Sequence, residues 1–325
     1  MVDVYLWSEP HERRESEEVR AVVCTRWGPP EVLQVAEVER PVPRKGEVRI
    51  RIFATAVTVS ECVARGLRAP LRYRILARLL LGWRGPRRPI FGLVLAGEVD
   101  SVGRNVTSFQ PGDQVFGMSR WKAGTYAEYV CWSARTLLAP RPANLTYEEA
   151  AALPYGGLLG MHLIRKAGIQ PGQRVLVYGA SGAIGTATVQ LARHFGARVT
   201  GVCSTTNLAL VESLGADAVV DYTREDFTTK ADRYDVIIDA VGRKKSAMAL
   251  LRAGDVLTAG GKSISIDDDF PKLRAEDLLL LKRLAESGEL TPVIDRRYPL
   301  EEMVEAHRYV EQGHKRGNVI VTVSQ

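Results

Sequence analysis

One stretch constrains this chain more than any other: VLVYGASGAIGTATVQLARHFGARVTGVCSTTN, residues 175–207. Val175 to Tyr178 are β-branched or aromatic apart from Leu176, and the run is too short for a helix. It reads as a buried parallel strand. Gly179, Gly182 and Gly185 then fall three residues apart across a strand-to-helix turn. Glycine there serves a tight turn, a close approach of backbone to a ligand, and close packing of helix on strand. Ile184 to Phe195 has helical character, with Ala187, Leu191 and Ala192 for one face and Gly196 at the C-cap. Arg198 to Cys203 is the next strand, which completes a βαβ unit.

The start of that helix offers unpaired N–H groups and a positive dipole end, which suit a pyrophosphate. Glycines alone fit a structural turn with no ligand, but the flanking strands and helix weigh against that reading. Ala180 and Ser181 separate the first two glycines, a variant of the strict G-x-G-x-x-G spacing. A carboxylate about twenty residues past the glycines usually meets a free ribose 2′-hydroxyl. Here that place holds Cys203, Ser204, Thr205, Thr206 and Asn207, and the next acid is Glu212. Small hydroxyl side chains accept a 2′-phosphate without repelling it, so NADPH is favoured over NADH. An NAD enzyme with weak ribose contacts is the alternative.

With 325 residues the chain exceeds one typical domain, and two domains sharing a cleft are expected. Residues 1–18 form a charged extension without the features of a secretory signal. Residues 19–140 read as strands and turns, a β-rich unit. Thr146, with Glu149 as its capping-box partner, opens a helix where a parallel α/β pattern begins over 141–289. Its candidate strands are 174–178, 198–203, 218–220, 235–239, 256–258 and 263–266, with helices between most of them, as in a doubly wound sheet. Residues 290–325 form a strand–helix–strand tail that returns to the first unit.

A hydrophobic share of 46% beside 25% charged residues suits a soluble globular protein, and no apolar run is long enough for a membrane span. Cys24, Cys62, Cys131 and Cys203 are scattered, without a C-x-x-C pair, which points to a reducing cytoplasm. Net charge is +6, and no acid occurs between Glu61 and Glu98. That gap holds Arg65, Arg68, Arg72, Arg74, Arg78, Arg84, Arg87 and Arg88. Such a stretch attracts an anionic substrate, a membrane or nucleic acid, or is simply a solvated loop and short helix. No nucleic-acid motif accompanies it, and no nucleic-acid partner is expected. Leu71, Ile75 and Leu79 recur at four-residue spacing, one face of a short helix expected to cover the mouth of the cleft.

The segments GPPEVL, PGDQVFG, GTYAEYV, AAALP, GASGAIGTATVQLARHFGA, LGADAVVDY and AHRYVEQGHKRGNVIVTV carry a resemblance over nearly all of residues 19–323. The chain resembles the medium-chain dehydrogenase/reductase superfamily, in its zinc-independent quinone oxidoreductase-like branch. The resemblance implies an α/β protein, a Rossmann doubly wound parallel sheet plus a β-rich GroES-like catalytic domain, with a cleft between them. It also implies a homo-oligomer, taken here as a dimer. Expected cofactor contacts are Gly179, Ser181, Gly182, Ala183, Ile184, Gly185, Ser204, Asn207, Tyr222, Ala240, Val241, Ser265 and Ile266.

Zinc members of that superfamily carry a cysteine ligand where this chain has Thr58, and Gly-His-Glu where it has Gly92, Leu93 and Val94. Leu93 and Val94 cannot bind a metal, the four-cysteine lobe is absent, and His11, His162, His194, His307 and His314 lack ligand spacing. No metal is expected. The chain departs from quinone oxidoreductase relatives at Thr58-Val59-Ser60-Glu61, where Asn-Pro-x-Asp is common. It departs again at Gly156-Gly157-Leu158-Leu159, and at Asn207, where a lysine often meets the 2′-phosphate.

Without a metal to stabilise an alkoxide, hydride transfer is easier to an acceptor already poor in electrons. The expected substrate is therefore a small hydrophobic quinone or α,β-unsaturated carbonyl, reduced with NADPH. Thr58 and Tyr155 are the expected donors to the oxygen that gains charge, because the resemblance puts both at the cleft. A satisfied strand hydroxyl and a packing ring are their plain alternatives, and Glu61 reads as structural. Two other functions stay open: an enoyl-thioester reductase whose anionic carrier meets the Arg65–Arg88 surface, and a non-catalytic NADPH-binding protein with a membrane or RNA partner.

Overall fold

The computed structural model describes residues 18–67, 78–79, 82–119, 122–229, 232–243, 246 and 253–324. The charged extension, apart from Glu18, and Leu71 and Ile75 lie outside the described residues.

The parallel sheet forms from the short apolar runs of the sequence. β8 (Arg174–Tyr178) and β9 (Arg198–Cys203) have the boundaries expected from sequence. β10 (Ala218–Asp221), β11 (Tyr234–Asp239) and β12 (Leu257–Ser265) complete it in the order β10-β9-β8-β11-β12, all parallel. Val175 and Val177 pack into one core while Leu176 packs into another on the opposite face. The sheet is therefore buried on both sides, which is why its strands read as continuous apolar runs.

One expectation is corrected. Segments 256–258 and 263–266 are parts of a single strand, β12, rather than two. The ladder resumes beyond Gly260 and Gly261, with the register slipping between Tyr234/Leu257 and Val236/Lys262. β12 is an edge strand, and an edge tolerates such a bulge.

The second sheet has the order β13-β14-β3-β4-β5-β7, with β6 paired to β3. It contains β3 (Glu47–Val57), β4 (Val94–Val102), β5 (Gln114–Met118), β6 (Tyr129–Ser133) and β7 (Leu137–Pro140). The C-terminal strands β13 (Ile294–Pro299) and β14 (Asn318–Thr322) join it, β14 running antiparallel to β3 with Val319 opposite Val57. A hairpin of β1 (Glu18–Cys24) and β2 (Leu33–Glu39) stands beside it.

Helix α2 (Tyr147–Ala167) joins the two sheets. Thr146 and Glu149 close the capping box at its start, and Gly168 ends it with φ 59°, a left-handed cap that glycine adopts without strain. Its residues Leu153, Leu158 and Leu163 share one core with Ala54 and Phe116 of one sheet and Val177 and Val236 of the other. A side chain at Gly156 would collide with the carbonyl oxygen of Ala183, so glycine there lets α2 lie close against the start of α3 (Ala183–His194).

Candidate functional site

The site grows from the C-terminal ends of β8 and β11. The strand order reverses between these neighbours, which opens a crevice where ligands bind in such sheets. Past β8, Gly179 turns with φ 77° and Gly182 is the N-cap of α3 with no side chain to occupy the free N–H groups. Past β11, Asp239 is wholly buried. One of its oxygens accepts from Val241 N–H and Gly242 N–H at 3.0 and 3.1 Å, the other from the hydroxyls of Ser246 and Ser265 at 2.7 Å each. That carboxylate clamps the loop carrying Ala240 and Val241.

A cavity of about 420 Å³ opens against the glycine turn, lined in part by Gly179, Ser181, Gly182, Ser204, Asn207, Tyr222 and Val241. A second, of about 380 Å³, is lined in part by Ser60, Tyr155, Leu159, Ala183, Ile184, Ala240 and Ile266. The two share Gly182, Val241, Gly313 and Lys315, and so form one groove. Of the thirteen expected cofactor positions, Gly185 and Ser265 line neither cavity. Gly185 packs helix on turn, since a side chain there would strike the Gly179 carbonyl, and Ser265 holds Asp239 from within.

The residues present fit a dinucleotide. Gly182 bears the cradle: a Cβ built there meets nothing nearer than the Gly179 carbonyl at 3.6 Å, so the space in front of it is open. Asn207 donates to the hydroxyls of Ser181 and Ser204 at 3.2 and 3.1 Å, while its own buried Oδ1 has no hydrogen-bond partner. An oxygen so placed suits a ribose hydroxyl. One further acid stands here. Asp221, at the end of β10, lies nearby but lines neither cavity; Thr205 and Thr223 donate to its carboxylate and hold it below its ordinary pKa.

Positive charge arrives from far along the chain. Gly313, His314 and Lys315 line the cavity at the glycine turn, and Gly313 and Lys315 also line its neighbour. Gly317 N–H donates to the Ser181 carbonyl at 2.8 Å, which fixes this loop to the turn. The segment GHKRG was its visible signal, but nothing local says what it faces.

At the other end, Tyr155 is 8% exposed and its hydroxyl lies 3.0 Å from Ser60 Oγ. Burial raises its pKa, with the Ser60 hydrogen bond opposing. Thr58 is placed differently from Tyr155. It caps α1 (Val59–Arg65), its hydroxyl donates to Glu61 and accepts from Ser60 N–H, and it lines neither cavity. Glu61, 2% exposed, accepts from Thr58 N–H at 2.9 Å and Leu93 N–H at 3.1 Å. Burial raises its pKa too. Glu61 thus ties the start of α1 to Leu93. Ser60, which the sequence reading did not single out, faces the cavity instead. Leu79 is 56% exposed and lines neither cavity.

Among the described residues no group of three or more His, Cys, Asp or Glu side chains could hold a metal ion, and no helix is long and apolar enough to cross a membrane.

Comparison with known proteins agrees with this geometry. Residues 44–143 match the alcohol dehydrogenase GroES-like domain family, and residues 214–321 match the zinc-binding dehydrogenase family. The chain is 32% identical to the 2-methylene-furan-3-one reductase of Solanum lycopersicum, covering 94% of this chain and 79% of the relative. It is 29% identical to the chloroplastic NADPH-dependent alkenal/one oxidoreductase of Arabidopsis thaliana, with the same coverage of 94% and 79%. The solved quinone oxidoreductase of Coxiella burnetii superposes with a TM-score of 0.80 at 25% identity, over 94% of this chain and 100% of that one.

Proposed function

The chain belongs to the medium-chain dehydrogenase/reductase superfamily, in its zinc-independent quinone oxidoreductase-like branch, and on that premise we propose that it is an NADPH-dependent reductase of quinones or α,β-unsaturated carbonyls. The observation that carries the reading is the continuous groove, which runs from a dinucleotide cradle at Gly182 to the Ser60–Tyr155 hydroxyl pair. The names of the relatives, a furanone reductase, an alkenal/one oxidoreductase and a quinone oxidoreductase, share one acceptor chemistry.

When bound, NADPH supplies the hydride. Val59, Leu159, Ile184 and Ile266 offer an apolar wall that holds a flat acceptor and excludes water. Tyr155 donates a hydrogen bond to the acceptor oxygen as that oxygen gains charge, and burial keeps the phenol protonated for the task. Ser60 orients the phenol, and the Thr58 side chain also reaches it by hydrogen bonding. Ser204, Thr206, His314 and Lys315 favour a 2′-phosphate, while Asp221 is tied away by its threonines. We also assign residues 19–140 and 290–325 to the catalytic domain and 141–289 to the cofactor domain, in a cytoplasmic homodimer.

Steady-state assays with a quinone, an enone and an enoyl thioester, each with NADPH and NADH, test the reading. Tyr155→Phe should lower kcat on the enone roughly 100-fold, the scale of losing one oxyanion donor, and leave the NADPH Kd unchanged. Oxidation of NADPH by none of the three acceptors refutes the proposal, and preference for the thioester replaces its substrate class.

A further inference from the structure

The described residues of the acid-free window between Glu61 and Glu98 line neither cavity of the groove, yet they form a surface with two chemistries. Arg84, Arg87 and Arg88 are exposed. Between and beside them, Leu79 and Trp83 are 56% and 60% exposed, an unusual state for large apolar side chains. The segment is anchored: Trp27 Nε1 donates to the Gly82 carbonyl at 2.9 Å, and Cys24 N–H donates to the Pro89 carbonyl at 2.7 Å. Arg87 donates to the Leu79 carbonyl at 3.0 Å, which holds the guanidinium against the Leu79 backbone.

Arg87 and Arg88 continue into a groove of about 780 Å³ with Arg40, Arg44, Lys122 and the 73% exposed Val42. The acids lining it are Glu39 and Glu47, and Glu47 is engaged by Lys122 at 2.6 Å. Arg40 is paired with Asp100 at 2.6 Å. No carboxylate among the described residues pairs with Arg84 or Arg87.

We propose that this face docks on an anionic phospholipid surface. Phosphate headgroups would meet the arginines, while Leu79, Trp83 and Val42 enter the boundary between headgroups and acyl chains, where indoles and short aliphatic side chains settle. A nucleic acid would also satisfy the arginines, but it would leave Leu79 and Val42 in water and find, among the described residues, one exposed indole on which to stack. The inference goes beyond the reductase reading and stands without it.

The test is sedimentation of the full chain with vesicles of phosphatidylcholine, alone or with roughly one third phosphatidylglycerol, at low and high salt. Retention on the anionic vesicles should be at least about 10-fold greater, and salt should release it. Arg84→Glu with Arg87→Glu should abolish the difference, with circular dichroism confirming that the variant is folded. Trp83→Ser should remove the quenching of tryptophan fluorescence by brominated lipid. Equal retention on both vesicles, or no quenching of Trp83, overturns the proposal. So does tighter binding to a single-stranded RNA oligonucleotide than to the anionic vesicles.

Discussion

Gly182→Val separates binding from folding in a way the neighbouring glycines cannot. At Gly179 the backbone has φ 77° and a Cβ would run into Val241; at Gly185 it would strike the Gly179 carbonyl. Either change damages the fold itself. Gly182 has φ −79°, a value any residue adopts, and its nearest obstacle is 3.6 Å away. The native protein should therefore tolerate valine. The cost is that of a weaker N-cap, about 1 kcal/mol, or a fall in Tm of roughly 1–2 °C in a chain of this size. The space that valine fills belongs to both cavities of the groove. A phosphate held off the α3 N-terminus loses charge-assisted hydrogen bonds worth about 1.5–3 kcal/mol each. Losing two of them raises the NADPH Kd by at least about 100-fold. Calorimetric titration of NADPH beside thermal unfolding measures both quantities on one sample. Retained affinity, or a collapse in Tm comparable to that of Gly185→Val, refutes the reasoning.

Lys315→Ala should raise the NADPH Kd about 10-fold, the scale of one lost phosphate contact; an equal loss for NADH assigns the lysine to the pyrophosphate, and no change for either refutes its role. His307 is fully buried, and burial, helped by Arg65, pushes its pKa down from 6.5 to about 3. The unfolded chain then binds a proton that the native one refuses, so this stability is complete above pH 6.5 and is lost as pH falls toward 3, about 2 kcal/mol of it by pH 5. Denaturant unfolding of His307→Gln should show a shallower acid slope than the parent between those limits; identical slopes count against it. Activity should survive prolonged treatment with a strong chelator, and metal analysis should find no stoichiometric zinc; one zinc per chain, lost together with activity, contradicts the reading of Thr58, Leu93 and Val94.

β8, the glycine turn and β9 were legible in the sequence to the residue, as was the capping box of Thr146 and Glu149. In each case the determining chemistry lies within one turn or one strand: side-chain periodicity, a glycine requirement, a hydroxyl and a carboxyl three residues apart. β12 reads as two strands in sequence because Gly260 and Gly261 interrupt its pattern, and only its neighbour β11 shows that one ladder runs past them. The sequence left open whether the hydroxyl of Thr58 is satisfied locally; the fold gives it Glu61 as a partner and brings Ser60 to Tyr155, ninety-five residues away. The position of Lys315 lay furthest from local reach. It lines the cavity beside the glycine turn because β14 pairs with β3 and Gly317 bonds to Ser181, contacts that exist only once distant parts of the chain have closed on one another. Local chemistry determined which segments are strands, helices and cradles. Which side chains face one another across the groove was decided by long-range pairing, whose stabilisation comes only after the entropy of closing the loops between them has been overcome.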